Sequence, residues 1–257
     1  MRIDANWGDV WEELTVEQQG RCIQLQSAMN ASWTEPVSFE LRKRGIKAFH
    51  DDSSRGVAIV LVGFPGSGKT TVNSALEERY GAKRLRVKQV AREAGIETEG
   101  ARTRGALIEG ADQAFVDECV SLAGKGELLV LDGFPRSVEQ ALVLLEAGIK
   151  PLVFHMFFPL EEEVRSSILR QAHRDAEKGA VEKGVVVSFD HYLNKIERAV
   201  EQDQAALNFL QACHIPVFSI SSMLAIEEMV FAASMISGLF FDGARIWKPR
   251  GSSEQLT

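Results

Sequence analysis

The chain has 257 residues, of which 45% are hydrophobic and 25% charged, the composition of an ordinary globular protein with room for one sizeable domain and extensions. Its formal net charge of −7 argues against a general role in binding nucleic acids or membrane surfaces, because these polyanions would repel it. No stretch is long and apolar enough to span a membrane, and the start, MRIDANWGDVWEEL, lacks the apolar core of a signal peptide.

The cysteines are few and far apart. Cys22, Cys119 and Cys213 match neither the spacing of a metal site nor a disulfide framework. We therefore expect reduced, mostly buried thiols, no zinc, and a cytoplasmic location.

Residues 1–55 precede the first predicted strand, and we expect a helical extension there. The segment from Thr15 to Gln18 has the pattern of a capping box, in which two side chains satisfy backbone N–H groups at the start of a helix. The apolar residues that follow at helical spacing are Cys22, Leu25 and Met29. The sequence thus predicts one amphipathic helix after Thr15.

A second short helix is predicted in the same extension. It runs from Ser38 to Arg44 and is closed by Gly45, a residue type that often ends helices. The polar segment HDDSSRG at 50–56 then indicates a linker to the main domain.

All four tryptophans lie outside the span from Val57 to Leu239. They are at positions 7, 11, 33 and 247. Two interpretations stay open. Either the two ends of the chain pack on each other or on the core, which we favour, or the tryptophan-bearing extension forms a surface for a protein partner or self-association, because Trp is enriched at interface anchors.

Between residues 56 and 240, strand-like runs alternate with helical patterns. The runs are continuously apolar, as in parallel strands covered on both faces. They lie at 57–62, 128–131, 152–158 and 215–220, with a weaker one near 82–87. Helical stretches lie at 70–80, 105–124, 137–147, 160–178 and 190–213. This order predicts one α/β domain with a doubly wound parallel five-stranded sheet, which binds ligands at the carboxyl ends of its strands, followed by a tail at 241–257.

The first apolar run leads into GFPGSGKTT at residues 63–71, which fits the phosphate-loop pattern G-x-x-x-x-G-K-[ST]. The glycines let backbone N–H groups surround phosphate oxygens, the lysine reaches the β and γ phosphates, and the next hydroxyl ligates Mg²⁺. A strand before the loop and a helix after it supply the required context. The predicted ATP-binding residues of the loop are Gly63, Pro65, Gly66, Ser67, Gly68, Lys69, Thr70 and Thr71.

The second motif is LVLDGFPRSVEQ at 129–140, an apolar strand followed by Asp132, Arg136 and Gln140. Together with the phosphate loop, it resembles the signature of adenylate kinases and related nucleoside monophosphate kinases. These P-loop enzymes move the γ-phosphoryl group of ATP onto the phosphate of a nucleotide. The resemblance covers about 57–222, and it implies that Asp132 fixes Mg²⁺ through water and that Arg136 bridges the donor and acceptor phosphates.

The resemblance also implies an acceptor-binding region at about 82–120. RVKQVAREAG aligns with the family motif whose last arginine grips the acceptor phosphate, but the polar residues that usually precede this arginine are replaced by Val87, Lys88 and Gln89. The implied acceptor-binding residues are Arg92, Gly110, Gly133, Arg136 and Gln140. The glutamine would bond to the acceptor base, as in AMP-specific members. The nearby basic cluster, Lys83, Arg84, Arg86 and Lys88, is more typical of a solvated face.

A mobile lid at about 165–200 is implied as well, with FFPLEEEVRSSILR as its entry segment. The residues that match family lid positions are Arg170, which would contact the ATP phosphates, Asp190 and Arg198. A third lid arginine is missing, since Val187 stands in its place. The candidate substitutes are Arg174, Arg165 and Lys183. The lid segment carries no zinc-binding cysteines.

The expected activity is transfer of the ATP γ-phosphate onto a nucleoside monophosphate, with AMP as the leading acceptor, to give ADP and a nucleoside diphosphate. Such catalysis mainly positions the reactants and neutralises charge. The expected catalytic residues are Lys69, Asp132, Arg136, Arg170 and Arg198, with Mg²⁺ held by Thr70 and, partly through water, by Asp132. Two alternatives stay open: a P-loop kinase of another small molecule, and a nucleotide-binding regulatory module whose extension binds a partner.

Overall fold

The computed structural model describes residues 12, 14–30, 38–50, 55–64, 66–96, 110–158, 166–169 and 189–240. Its helices are α1 (Val16–Asn30), α2 (Phe39–His50), α3 (Lys69–Tyr80), α4 (Val87–Glu93), α5 (Ala111–Gly124), α6 (Val138–Glu146), α7 (Phe189–Ala212) and α8 (Ile226–Phe240). Its strands are β1 (Gly56–Gly63), β2 (Lys83–Leu85), β3 (Leu129–Leu131), β4 (Ile149–Phe157) and β5 (Val217–Ser221).

The five strands form one parallel sheet in the order β2-β3-β1-β4-β5. Strand β1 lies in the middle, paired with β4 from Gly56 opposite Ile149 to Gly63 opposite Met156, and with β3 on its other side. The chain therefore leaves β1 toward one edge of the sheet and later returns to the other, which opens a crevice at the carboxyl end of β1. The predicted doubly wound α/β fold is confirmed.

Both faces of the sheet are buried because helices cover each of them. Along β1, Ala58, Val60 and Val62 pack against α5, α6 and α7. The alternate residues Ile59 and Leu61 pack against α3 and α8 on the opposite face. Since successive side chains of a strand point to opposite faces, a strand covered on both sides must be apolar throughout. This explains the continuous apolar run in the sequence.

The extension helix α1 begins with the predicted capping box. The Thr15 N–H donates to Gln18 Oε1 (3.1 Å), and the Gln18 N–H donates to Thr15 Oγ1 (3.2 Å). The buried side chains of α1 join an apolar cluster with residues of α7 and of the segments that follow β1 and β4. Its members are Cys22, Leu25, Phe64, Phe158, Ile168, Leu193, Ile196 and Val200. The described part of the extension therefore packs on the core, whereas the four tryptophan positions lie outside the described residues.

Helix α2 does not end at Gly45, as the sequence predicted, but continues to His50. Gly45 is buried, and a Cβ atom there would overlap Cys213 Sγ and lie 2.8 Å from the ring of Phe209. The glycine is thus needed for close packing of α2 on the end of α7, and not for a left-handed turn. The prediction that Gly45 ends the helix is therefore wrong.

The other helices agree with the predicted ones to within a few residues, apart from two predicted stretches that are only partly described and two helices that were not predicted. Helix α5 begins at Ala111, and the positions before Gly110 that were predicted to be helical lie outside the described residues. The predicted helix at 160–178 is described only at 166–169, which are helical. Helices α4 and α8 were not among the helical stretches recognised in the sequence. Within the described parts of the chain, no helix has the length and apolar character needed to cross a membrane.

The three cysteines are free and buried, as predicted. Burial raises the pKa of Cys119 to about 12 and those of Cys22 and Cys213 to about 11. The thiols therefore stay protonated at neutral pH, which makes them poor nucleophiles and metal ligands.

Candidate functional site

The predicted phosphate loop lies at the carboxyl end of β1, in the crevice of the sheet. The strand ends at Gly63, and α3 begins at Lys69. Gly63, Gly66 and Gly68 have φ angles of 148°, 94° and 90°, a region that favours glycine. A Cβ atom at Gly63 would overlap the carbonyl oxygen of Met156 on β4. The loop thus adopts a turn that its glycines make accessible, and it leads directly into a helix N-terminus.

The side chains of the loop are held close to its backbone. Lys69 Nζ donates to the carbonyl oxygens of Gly63 (2.5 Å) and Phe64 (2.7 Å). Ser67 is buried, and its hydroxyl makes no hydrogen bond within the described chain. An ammonium group and an unsatisfied hydroxyl in one tight loop suit an anionic ligand, because both groups can bond to its oxygens. Pro65, the remaining predicted loop residue, lies outside the described residues.

His155 on β4 is a titratable residue that feels the charge of Lys69. Burial lowers its pKa, and the positive charge of Lys69 lowers it further. The imidazole is therefore neutral at pH 7, so that Lys69 is the charged group of this pair.

A cavity of about 390 Å³ opens beside the loop. One wall is polar and consists of Gly66, Ser67, Gly68 and Thr71. The other wall is largely apolar and is formed by Phe158 and by the segment that follows β5, with Met223, Leu224, Ile226 and Met229. A cavity of this size with an apolar side and a phosphate-type loop has the shape expected for a nucleotide. This second wall was not predicted from the sequence, although its position after a parallel strand could have indicated it.

Asp132 lies directly after β3, next to β1, and accepts hydrogen bonds from two arginines. Its Oδ2 accepts from Arg84 Nε (3.0 Å), Arg84 Nη2 (2.6 Å) and Arg86 Nε (2.7 Å). Burial alone would raise the pKa of Asp132, but the hydrogen bonds and charges of Arg86 and Arg84 lower it below its ordinary value. The carboxylate is therefore ionised. The predicted basic cluster is only partly a solvated face, because the Arg84 side chain is 7% exposed.

The oxygen atoms expected to hold Mg²⁺ remain compatible with that role. Thr70 is exposed in the first turn of α3. Asp132 Oδ1 accepts no hydrogen bond from the described residues, whereas Oδ2 is used by the arginines. Mg²⁺ prefers oxygen ligands and is usually bound through few protein atoms, water and substrate phosphates. The two residues therefore fit an ion that ATP and water largely coordinate.

Arg136 is fixed in the turn that follows β3. Its Nε donates to the Gly133 carbonyl (2.7 Å), and its Nη1 lies 4.0 Å from Asp203 Oδ1 on α7. Gly133 has φ 78°, and a Cβ atom there would lie 2.5 Å from Arg136 Nη2. The glycine therefore makes room for the guanidinium, which explains why the two residues occur together in the motif.

Gln140 is almost fully buried and its side-chain amide is occupied at both ends. Oε1 accepts from the Arg136 N–H (2.8 Å), and Nε2 donates to Asp112 Oδ1 on α5 (3.0 Å). Ser137 caps the same helix by accepting from the Gln140 N–H (3.2 Å). In this structure Gln140 joins the Arg136 turn to α5, and one N–H and one oxygen lone pair of its amide are left for a further partner.

The remaining predicted acceptor residues lie on α4 and at the start of α5, two helices that pack together. Arg92 is exposed in the last turn of α4. Gly110 precedes α5 with φ 77°, and a Cβ atom there would lie 3.8 Å from Ile96 Cδ1. The two helices are thus adjacent, while Arg92 makes no bond that fixes its side chain to the described residues.

The predicted lid residues are only partly described. Arg165, Arg170 and Arg174 lie outside the described residues, as does Lys183. Arg198 is exposed on α7. Asp190, at the start of α7, accepts from Arg21 Nη1 (3.2 Å) and Gln18 Nε2 (3.3 Å) of α1. The structure therefore joins Asp190 to the extension and not to the phosphate loop.

No protein-family model matches the chain. Among curated proteins, an adenylate kinase from Methylorubrum populi is 31% identical over 133 residues. The alignment covers 47% of this chain and 66% of that relative, slightly less than two thirds of its length.

Proposed function

We propose that the chain, which is similar to an adenylate kinase, is a P-loop kinase of that kind and transfers the γ-phosphoryl group of ATP to a nucleoside monophosphate, with AMP as the leading acceptor. The observation that carries the proposal is the placement of charged side chains at the ends of two neighbouring strands. The phosphate loop with Lys69 follows β1, and the turn with Asp132 and Arg136 follows β3, its partner in the sheet.

The donor half of the proposal rests on the loop and the cavity beside it. The loop and Lys69 would hold the ATP phosphates, Thr70 and Asp132 would fix the accompanying Mg²⁺, and the apolar wall at 222–229 suits a base. Mg²⁺ supplies charge neutralisation for the phosphates when it is bound. Free buried cysteines are consistent with a reducing compartment, and we propose the cytoplasm.

The acceptor half rests on arginines. Arg136 is held at the end of β3, next to the strand that leads into the loop. We assign further acceptor contacts to Arg92, Gly110, Gly133 and Gln140. We assign Arg170 and Arg198 to the donor phosphates. A phosphate acceptor is already anionic near pH 7, so no general base is required. Fixed guanidinium groups are what such a transfer needs, because it proceeds mainly by positioning and charge stabilisation.

A second candidate, a P-loop kinase of another small molecule, is favoured by Gln140. Its amide is used by Asp112 and by the Arg136 backbone. Only one N–H and one oxygen lone pair of this buried amide remain for a base, fewer groups than an exposed glutamine would offer.

The experiment is an assay of ADP release with ATP and a panel of nucleoside monophosphates, with ATP alone as the control. The proposal expects ADP release that depends on one or more of the monophosphates, with AMP the best of them. If none of the monophosphates increases ADP release, the proposed function is rejected. Activity with a non-nucleotide acceptor would establish the second candidate.

A further inference from the structure

Arg86 and Asp132 lie side by side at the carboxyl edge of the sheet. Strands β2 and β3 are parallel neighbours with Leu85 opposite Leu131, and the Asp132 N–H donates to the Leu85 carbonyl (2.9 Å). Arg86 Nε then donates to Asp132 Oδ2 (2.7 Å). Backbone and side-chain bonds together fix Arg86 relative to the end of β3, which in turn neighbours the phosphate-loop strand β1.

The two arginines on Asp132 are bonded differently. Arg84 uses all three nitrogens, Nε and Nη2 on Asp132 and Nη1 on Ser74 of α3 (2.7 Å), and its side chain is 7% exposed. Arg86 uses only Nε, and its Nη1 and Nη2 make no hydrogen bond to any residue that the structure describes. Its side chain is 48% exposed. Arg84 therefore joins α3 to β3, whereas Arg86 is anchored at one edge of its guanidinium and open at the other.

Two guanidinium groups and one carboxylate leave one net positive charge at this place. The open edge of Arg86 is a fork of N–H donors, which matches a phosphate group bidentately. Strand β2 is two strands away from β1, roughly 10 Å at the usual spacing. A phosphate bound at Arg86 would therefore lie on the acceptor side of the crevice, within reach of a nucleotide-sized ligand next to the loop.

We propose that Arg86 binds the phosphate of the acceptor and that Asp132 positions it for this contact. The inference rests on the proposed function, because it assigns a residue to the acceptor of that reaction. Arg86 supplies a positive charge on the acceptor side. It stands just before the positions where Val87, Lys88 and Gln89 replace the polar residues of the family motif. Asp132 Oδ2 then positions Arg86, while Oδ1 is left for the proposed water-mediated contact with Mg²⁺.

The test compares Arg86→Gln with the wild-type protein, using the nucleoside monophosphate that the wild-type protein accepts. Arg86→Gln should raise the KM for this acceptor about 10- to 100-fold, the effect of losing hydrogen bonds to a charged group, and leave the KM for ATP within about twofold. Arg86→Lys should recover part of the loss. The control is Lys88→Gln, which removes the same charge from an exposed neighbour and should change neither KM by more than about twofold.

A binding measurement separates the phosphate contact from a general effect. By calorimetry, Arg86→Gln should weaken binding of AMP but not of adenosine, which lacks the phosphate. The inference is overturned if the acceptor KM of Arg86→Gln equals that of Lys88→Gln, or if AMP and adenosine are weakened equally. If the wild-type protein itself accepts no monophosphate, the proposed function fails and this inference with it, and that result is visible before any variant is made.

Discussion

Lys69 is the residue whose removal tests the phosphate loop most directly. Its ammonium group lies over the Gly63 and Phe64 carbonyls, at the start of α3. We expect Lys69→Ala to lower kcat by about 10²–10³ or more, because it removes one charge that stabilises the transferring phosphate. Steady-state ADP release measures this, with thermal unfolding to show that the variant is folded. The exposed Lys83→Ala serves as the control, and near-normal transfer by folded Lys69→Ala would reject the assignment.

Asp132 gives a prediction about pH. Its pKa is lower in the folded protein than the ordinary value of 3.8, so its pairing with Arg84 and Arg86 stabilises the fold fully above that value. This contribution is lost as the pH falls through the lowered pKa. Asp132→Asn, which leaves the buried Arg84 without its charged partner, should cost about 2–3 kcal/mol at pH 7 and pH 5. In urea unfolding, the difference from wild type should shrink below about pH 4; a constant difference down to pH 3 would contradict the pairing.

The residues of the phosphate loop could be predicted from the sequence because the loop is local. Its glycines and Lys69 are neighbours in the chain, and their spacing alone specifies the turn. The partners of Asp132 could not be predicted in this way. Arg84 is 48 positions away, and the two residues meet only because β2 and β3 become neighbours in the sheet. The burial of Gln140 against Asp112, 28 positions apart, has the same origin.

At the scale of elements, Gly45 and Gly20 form a matched pair of helical glycines. A Cβ atom at Gly45 would overlap Cys213, which directly follows α7. At Gly20 in α1, a Cβ atom would have nothing within 4 Å. Alanine has the higher helix propensity in both places, by about 1 kcal/mol. We therefore expect Gly20→Ala to stabilise the protein by about 0.5–1 kcal/mol. Gly45→Ala should destabilise it by about 1–3 kcal/mol, since overpacking outweighs propensity.

Chemical denaturation of the two variants provides the measurement. Equal effects of the same sign would show that α2 is not packed against α7 as the structure has it. The two glycines also show that a sequence pattern does not say why a glycine stands in a predicted helix. Glycine in a helical pattern indicates either an end or a close approach, and only the position of Cys213, far along the chain, decides between them.

At the scale of the whole molecule, Arg21 connects the extension to α7. It donates from Nε and Nη2 to Glu197 (3.0 and 2.8 Å), from Nη2 to Asn194 (2.6 Å) and from Nη1 to Asp190 (3.2 Å). The hydrogen bond with Glu197 is the main reason why the pKa of Arg21 is raised. Because these bonds join α1 to the start of α7, a shift of that helix end must move α1 with it or break them.

The proposed function makes a further prediction about the whole crevice. Lys69 lies on the donor side, after β1, and Arg136 after the neighbouring β3, so the two phosphate chains should converge on one cleft. A ligand that links two nucleosides through five phosphates combines ATP and AMP in one molecule. Its second half binds at high effective concentration, so the affinity should exceed that for ATP alone by about 10²–10⁴-fold.

Calorimetry with the five-phosphate dinucleotide, ATP and AMP measures this difference. Arg136→Gln is the informative variant, because Arg136 would contact both halves of the linked ligand: it should lower the affinity for the dinucleotide more than that for ATP. Lys125→Gln, an exposed lysine in the turn after α5, should leave both affinities unchanged. If the dinucleotide binds no more tightly than ATP, the two phosphate sites do not share a cleft. Such a result would reject a nucleotide acceptor bound beside the phosphate loop, because the linked ligand then gains nothing from its second half.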